Sequence, residues 1–225
     1  MNNHIVEAKS LNQFYAKVYG IFGMGLGISA LAAYLGANVF PEQTANFIMN
    51  FPLGLTGIWL IEIVLVLVLS AKAHKNPALT LAGFIVYSLL NGFVLSITLA
   101  FYSSADIVKA FVVATATFLV MSAVGIFTKR DLSGIGRAGI GLLWGVIIAS
   151  LINIFLQSAP VDYFLSYLTV LIFVGLTAYD NQRIRQIYFA TQGQDNTGFA
   201  AFMALQLYLD FINLFLSLLR IFSRD

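Results

Sequence analysis

The chain contains no cysteine and only two histidines, His4 and His74, among its 225 residues. Disulfides, thiol catalysis and thiolate metal sites are therefore excluded, and two histidines alone cannot build a histidine-rich metal centre. Charge is scarce as well: Asp, Glu, Lys and Arg make up 10% of the residues, where a soluble domain carries about 25%. The formal net charge is only +2 and the basic residues are scattered, which argues against nucleic acid as a partner. HExxH and GxSxG motifs are both missing, so the chain is not expected to be an enzyme. Strand-length alternation of the outer-membrane barrel type is missing too.

What the sequence does hold is apolar mass, with 60% hydrophobic residues and a mean hydropathy of +0.88. Such a chain is an all-α integral membrane protein, and the lipid bilayer is its first partner. A span needs about 20 mostly apolar residues. Seven stretches qualify, at residues 15–39, 53–73, 77–101, 105–128, 134–157, 161–187 and 198–222. Pro41, Pro77 and Pro160 stand at three boundaries, where a missing N–H costs little. Residues 1–225 thus form a single seven-helix membrane domain. The polar opening MNNHIVEAKSLN precedes an apolar run too long for the ~7–15-residue core of a signal peptide, so the first helix reads as uncleaved. Gly23 with Gly27 and Gly141 with Gly145 form GxxxG pairs, a spacing that lets helices approach closely in membranes.

Lys and Arg placement sets the orientation. With the N-terminus in the cytoplasm, Lys9, Lys17, Lys72, Lys75, Lys129, Arg130, Arg137, Arg183 and Arg185 fall inside, and Lys109, Arg220 and Arg224 outside. The expected location is the cytoplasmic membrane, multi-pass, with the N-terminus inside.

Two aspartates interrupt the last two spans: Asp180 in LTAYDNQR and Asp210 in LQLYLDFINLF. A carboxylate at the centre of a spanning helix costs roughly 2.5–3.5 kcal/mol even on a lenient scale, so its default reading is functional. In the seventh span, Gln206, Asp210, Asn213 and Ser217 share one helix face. That stripe cannot face lipid, so this helix is expected to be enclosed. Ser166, Thr169 and Thr177 in the sixth span, Ser150, Asn153 and Gln157 in the fifth, and Ser88 and Asn91 in the third could extend a polar interior route. The plainer reading of these neutral residues is interhelical hydrogen bonding, at about 0.6 kcal/mol per pair. Glu62, within GIWLIEIVLVLVLS, stays open between a neutral carboxyl, a partner on another helix, and a place on a cation path.

Two carboxyls brought together in a low dielectric cannot both ionise cheaply, and they titrate as a pair. One shared proton would staple the sixth helix to the seventh; its loss leaves charges that repel or attract a cation. Oxygen ligands of this kind suit Ca²⁺ rather than a transition metal. Asp180 and Asp210 supply fewer than the roughly six to eight oxygens Ca²⁺ prefers, so the seat would be transient. Depth sets a condition. At about 1.5 Å per residue, Asp210 lies near mid-span, whereas Asp180, close before Arg183, lies near one face unless its helix continues past Arg185 or residues 188–203 form interfacial helix.

Four stretches carry a likeness: FYAKVYGIFGMGLGISA in the first helix, FTKRDLSGIGRAGIGLLWG entering the fifth, GLTAYDNQRIR ending the sixth, and LYLDFINLFLSLLRIF in the seventh. Across nearly the whole chain the sequence resembles the bacterial branch of the transmembrane Bax-inhibitor-motif family. The resemblance implies seven transmembrane helices with the C-terminal helix central and six around it. It also implies a pH-sensitive calcium leak, with calcium as the permeant ion, no cofactor, and the pair Asp180 and Asp210 as sensor and gate. Glu62 is similar to the acidic position of the family's second helix. Some relatives pair the aspartates with an arginine near the end of that helix, where this chain has Lys72, His74 and Lys75. The alternative function is a non-transporting regulator of a membrane protease or of stress or cell-death machinery, for which MNNHIVEAKSLN would serve as a docking strand or degradation tag. An intramembrane aspartyl protease would also use two aspartates, but its Gly-x-Gly-Asp is absent around LYLD.

Overall fold

The structure, a computed structural model, describes residues 2–73, 75–191 and 197–223, with side chains from residue 10 onward. Expectations placed on His74, on the connection at 192–196, on Arg224 and on the first side chains fall outside the described residues.

Every regular element among the described residues is helical: α1 (Asn2–Tyr34), a π-helical turn (Leu35–Val39), α2 (Pro41–Asn50), α3 (Gly54–Lys72), α4 (Pro77–Leu99), α5 (Ser104–Phe127), α6 (Ser133–Leu156), α7 (Ala159–Ala190) and α8 (Thr197–Phe222). Seven of them are long and apolar enough to cross a membrane, the number the sequence implies, and α2 is an additional short helix. Local chemistry explains the starts and stops. Asn76 caps α4 by accepting from the Leu79 amide at 3.0 Å, with Pro77 at the first helical position. Ser103 caps α5 by accepting from the Asp106 amide at 3.1 Å, and its hydroxyl donates back to Asp106 at 2.6 Å. Asp131 receives the amide of Ser133 at 2.9 Å and its hydroxyl at 2.8 Å where α6 begins. Gln157, in the left-handed region at φ 48°, ends α6.

The chain divides into two compact units, the first comprising residues 1–102 and 187–205 and the second residues 103–186 and 206–225. In the first, α1 and α4 meet along a seam of small residues. Gly25, Ser29 and Ala32 on one face of α1, continued by Gly36 of the π-helical turn, approach Phe84, Ser88, Gly92 and Ser96. Ser29 donates its hydroxyl to the Ser88 carbonyl at 2.7 Å. A Cβ at Gly92 would stand 2.5 Å from the Ser29 carbonyl oxygen, so only glycine permits this crossing. The GxxxG expectation is corrected here: Gly23 and Gly27 have nothing within 4 Å of a built Cβ, nor do Gly141 and Gly145. Spacing identified the right motif class but the wrong helix faces. Lys17 donates to Thr197, and Phe14 packs on Tyr188 with centroids 5.8 Å apart.

In the second unit, α5 approaches α7 so closely that a Cβ on Gly125 would collide with the Ala178 carbonyl and lie 2.8 Å from the Asn181 Cβ. Phe111 and Phe118 of α5 meet Phe211 of α8 edge-on, at centroid distances of 5.8 and 5.6 Å. Gly136 of α6 leaves room for the Tyr179 ring, 2.7 Å from where a Cβ would stand. Burial is uneven: 72% of the apolar window of α8 lies inside, against 11% for α3 and for α6. The last helix is thus enclosed, as its polar stripe implied.

Candidate functional site

Within the second unit, Phe173, Leu176, Asp180 and Arg183 lie on one face of α7, and Gln206, Leu209, Asp210 and Asn213 on one face of α8. With Tyr179 and with Ile140 and Leu143 of α6, these residues line a cavity of about 170 Å³. The Asp180 and Asp210 carboxyls are hydrogen-bonded to each other across the two helices. Such a bond requires a proton on one of the two carboxyls. Asp180 is 4% exposed and Asp210 3%, so water does little to disperse their charge. Arg183 Nη1 stands 4.0 Å from Asp180 Oδ1. The second oxygen of Asp210, Oδ2, is buried without a hydrogen-bond partner.

The depth condition resolves in favour of the pair. α7 continues past Arg185 to Ala190, so Asp180 sits three helical turns inside the helix end rather than beside it. Asp210 lies at a comparable depth from Thr197, the first residue of α8. The sixth spanning helix thus continues past Arg185 without a break.

Other residues singled out in the sequence fall in different places. Gln206 and Asn213 reach the cavity beside the pair. Ser217 is buried but is not among the lining residues. Asn153 does not join them: it closes the end of α6, accepting from the Ser158 amide and donating to the Ser158 carbonyl, each at 3.2 Å. Ser150 and Gln157, its neighbours on that stripe, are exposed. The hydroxyls of Ser88, Ser166, Thr169 and Thr177 donate to carbonyls one turn back on their own helices, at 2.7 to 2.9 Å, rather than lining a route. Glu62 lies in the first unit, 6% exposed, hydrogen-bonded to Asn91 and with Oε1 unpartnered. Lys72 and Lys75 are exposed residues of the first unit, and the cation beside Asp180 is Arg183.

Several supporting residues were not singled out. Asn181 is fully buried and donates to the Ser122 hydroxyl at 3.0 Å and to the Thr177 carbonyl at 2.8 Å, tying α7 to α5. Gln182 accepts from the Leu132 amide and donates to the Arg130 carbonyl, both at 2.8 Å, fixing the α5–α6 turn to α7. The consecutive polar run of Asp180 to Arg183 at the end of an apolar stretch is the signal that pointed to them. Each successive side chain turns by about 100° and so serves a different neighbour. Asp180 and Arg183, three apart, return to nearly the same face.

The arrangement can exchange one proton and, when the proton leaves, present clustered carboxylate and amide oxygens to a cation. No group of three or more His, Cys, Asp or Glu that could hold a metal ion is gathered among the described residues.

Seven crossing helices with a buried carboxyl pair on the last two define a polytopic α-helical membrane protein with a polar site inside its apolar bulk. The chain belongs to the Bax inhibitor-1 family: the family model described as inhibitor of apoptosis-promoting Bax1 matches residues 11–225. It is 47% identical to an uncharacterized membrane protein of Streptococcus pyogenes serotype M1, with 100% of both chains covered. It is also similar to protein YrjE of Lactococcus lactis, at 42% identity over 99% of this chain and 96% of that one. Inner membrane protein YbhL of Escherichia coli K12 is 38% identical over the same shares, 99% and 96%.

Proposed function

We propose that the protein is a pH-sensitive calcium leak of the cytoplasmic membrane, N-terminus inside, gated by protonation of the Asp180–Asp210 pair, and that it acts without enzymatic chemistry or a cofactor. The observation that carries this reading is the hydrogen bond between two buried carboxyls on separate helices at the wall of a cavity. The name of the relative YbhL, an inner membrane protein, supports the location. With the proton in place, the pair staples α7 to α8. As pH rises and the proton leaves, two like charges face each other; at a separation of ~4 Å such charges repel by about 4 kcal/mol at an effective dielectric near 20. Arg183 compensates one of them. The other either parts the helices or draws in a divalent cation, with Gln206 and Asn213 supplying neutral oxygens. Flux therefore rises with pH.

Calcium flux into liposomes holding the purified protein, followed from pH 6 to 8, tests this. The wild type is expected to show a pH-dependent flux, steepening toward about tenfold per pH unit if a single proton controls it. Asp180→Asn and Asp210→Asn are expected to flatten that dependence. Unchanged profiles in both variants would overturn the latch. Absence of flux above protein-free liposomes at every pH would favour the non-transporting regulator of a membrane protease or stress machinery.

A further inference from the structure

α2 is the helix that membrane crossing does not use. At ten residues it is too short to span, and none of its residues is buried. Around its axis, Glu42, Gln43, Asn46 and Asn50 occupy one arc and Pro41, Thr44, Ala45, Phe47, Ile48 and Met49 the other. Two contacts fix its rotation, both from the second arc. Thr44 donates its hydroxyl to the Gly36 carbonyl at 2.9 Å, and Phe47 meets Phe93 of α4 edge-on at 5.3 Å. What remains of the apolar arc points away from the protein: Ile48 is 37% exposed and Met49 69%, with Phe40 at 48% and Phe51 at 60% beside them.

We propose that α2 is an in-plane interfacial helix and that its occupant is lipid, with the apolar arc seated at the boundary of headgroups and acyl chains. Continuity with the spans carries this. The first span ends at Val39, directly before α2, and the next begins at Gly54, just after it. Val39, Phe40, Met49, Phe51 and Leu53 therefore add exposed apolar surface at the adjoining ends of two crossing helices. Charge narrows the lipid class. Glu42 is the only ionisable residue on α2, and no Lys or Arg occurs between Lys17 and Lys72. Attraction to anionic headgroups, which basic interfacial helices use, has no counterpart here. The contact rests on apolar area, and zwitterionic lipid suffices.

Because the chain has no cysteine, single-cysteine variants of the full-length protein can carry a nitroxide at one chosen place. Met49→Cys and Phe51→Cys probe the apolar side, and Asn46→Cys the polar arc; these side chains are all exposed. In phosphatidylcholine bilayers, the labels at 49 and 51 are expected to be reached severalfold better by oxygen than by a water-soluble nickel chelate, with the preference reversed at 46. Adding phosphatidylglycerol should leave both ratios unchanged. Equal nickel access at all three positions would place α2 in water, and exclusion of both reagents at 49 and 51 would mean that protein covers the arc. Either result overturns the proposal, as does a lipid preference that arises only with phosphatidylglycerol.

Discussion

α6 and α8 are both apolar spans of similar length, yet they occupy opposite environments. α6 has a mean hydropathy of 2.2 and only 11% of its window buried; α8 has 1.7 and 72%. α3 repeats the α6 pattern, at 2.2 and 11%. In water the more apolar helix is the one that goes inside. In a bilayer the preference inverts, because lipid accepts Leu, Ile and Phe without penalty and only polar groups need protein partners. Polarity within a span therefore marks enclosure. α8 buries Asp210 and Ser217, while Asn153 of α6 serves as a closing cap near the helix end.

The largest test of that contrast substitutes glycine. Gly125 lies against the backbone of α7, where the neighbouring carbonyl cannot swing aside, while Gly141 has open space around it. Gly125→Ala is expected to destabilise by about 1–3 kcal/mol, as overpacking does. Gly141→Ala should be neutral or stabilising by less than about 1 kcal/mol, since alanine favours a helix. Thermal unfolding of the purified protein reads both. Equal sensitivity at the two glycines would end the distinction between enclosed and lipid-facing surfaces.

Those glycines also show how much was legible beforehand. Seven spans were readable because hydrocarbon thickness fixes their length and composition. Asp180 and Asp210 were readable because each is costly without a purpose. Gln206 and Asn213 followed from helical spacing relative to Asp210. Spacing gives a period but not the direction a face points. Gly23 and Gly27 therefore read like a contact, while Gly25, two residues along and roughly 200° around the helix, makes one with Phe84 and Ser88. Asn153 was misplaced for a related reason: near a helix end an amide side chain serves the chain reversal as readily as an interior route. α2 was missed because Glu42, Gln43, Thr44, Asn46 and Asn50 break the run that defines a span, and a ten-residue amphipathic segment resembles a loop in composition.

A smaller test compares two asparagines. Asn181 binds the Ser122 hydroxyl inside the second unit, whereas Asn153 serves the end of the most exposed kind of helix. Asn181→Ala leaves that buried hydroxyl without its donor and is expected to cost about 0.6–1.7 kcal/mol, the range of interhelical hydrogen bonds in membranes. Asn153→Ala should stay within about 0.5 kcal/mol, as at other surface positions. Denaturant titration in bicelles separates the two. A larger loss at Asn153 would mean that the α6–α7 turn, not the α5–α7 contact, holds this unit together.

The smallest expected effect lies outside the spans, at Asp131. Its exposed carboxylate is held below the usual range first by the Ser133 amide, then by the Ser133 hydroxyl, with Arg137 adding a weaker pull. A carboxylate lowered by folding stabilises the protein above its unfolded value, near 3.9, and loses that contribution as pH falls through the folded one. The window therefore lies below about pH 4, far from the range in which the Asp180–Asp210 latch is proposed to work. Asp131→Asn should leave the calcium flux profile from pH 6 to 8 superimposable on the wild type, and should change only the acid limb of a stability curve. A displaced flux midpoint in this variant would move the pH sensor from the enclosed pair to an exposed turn, and the enclosure of α8 would then have no part in sensing.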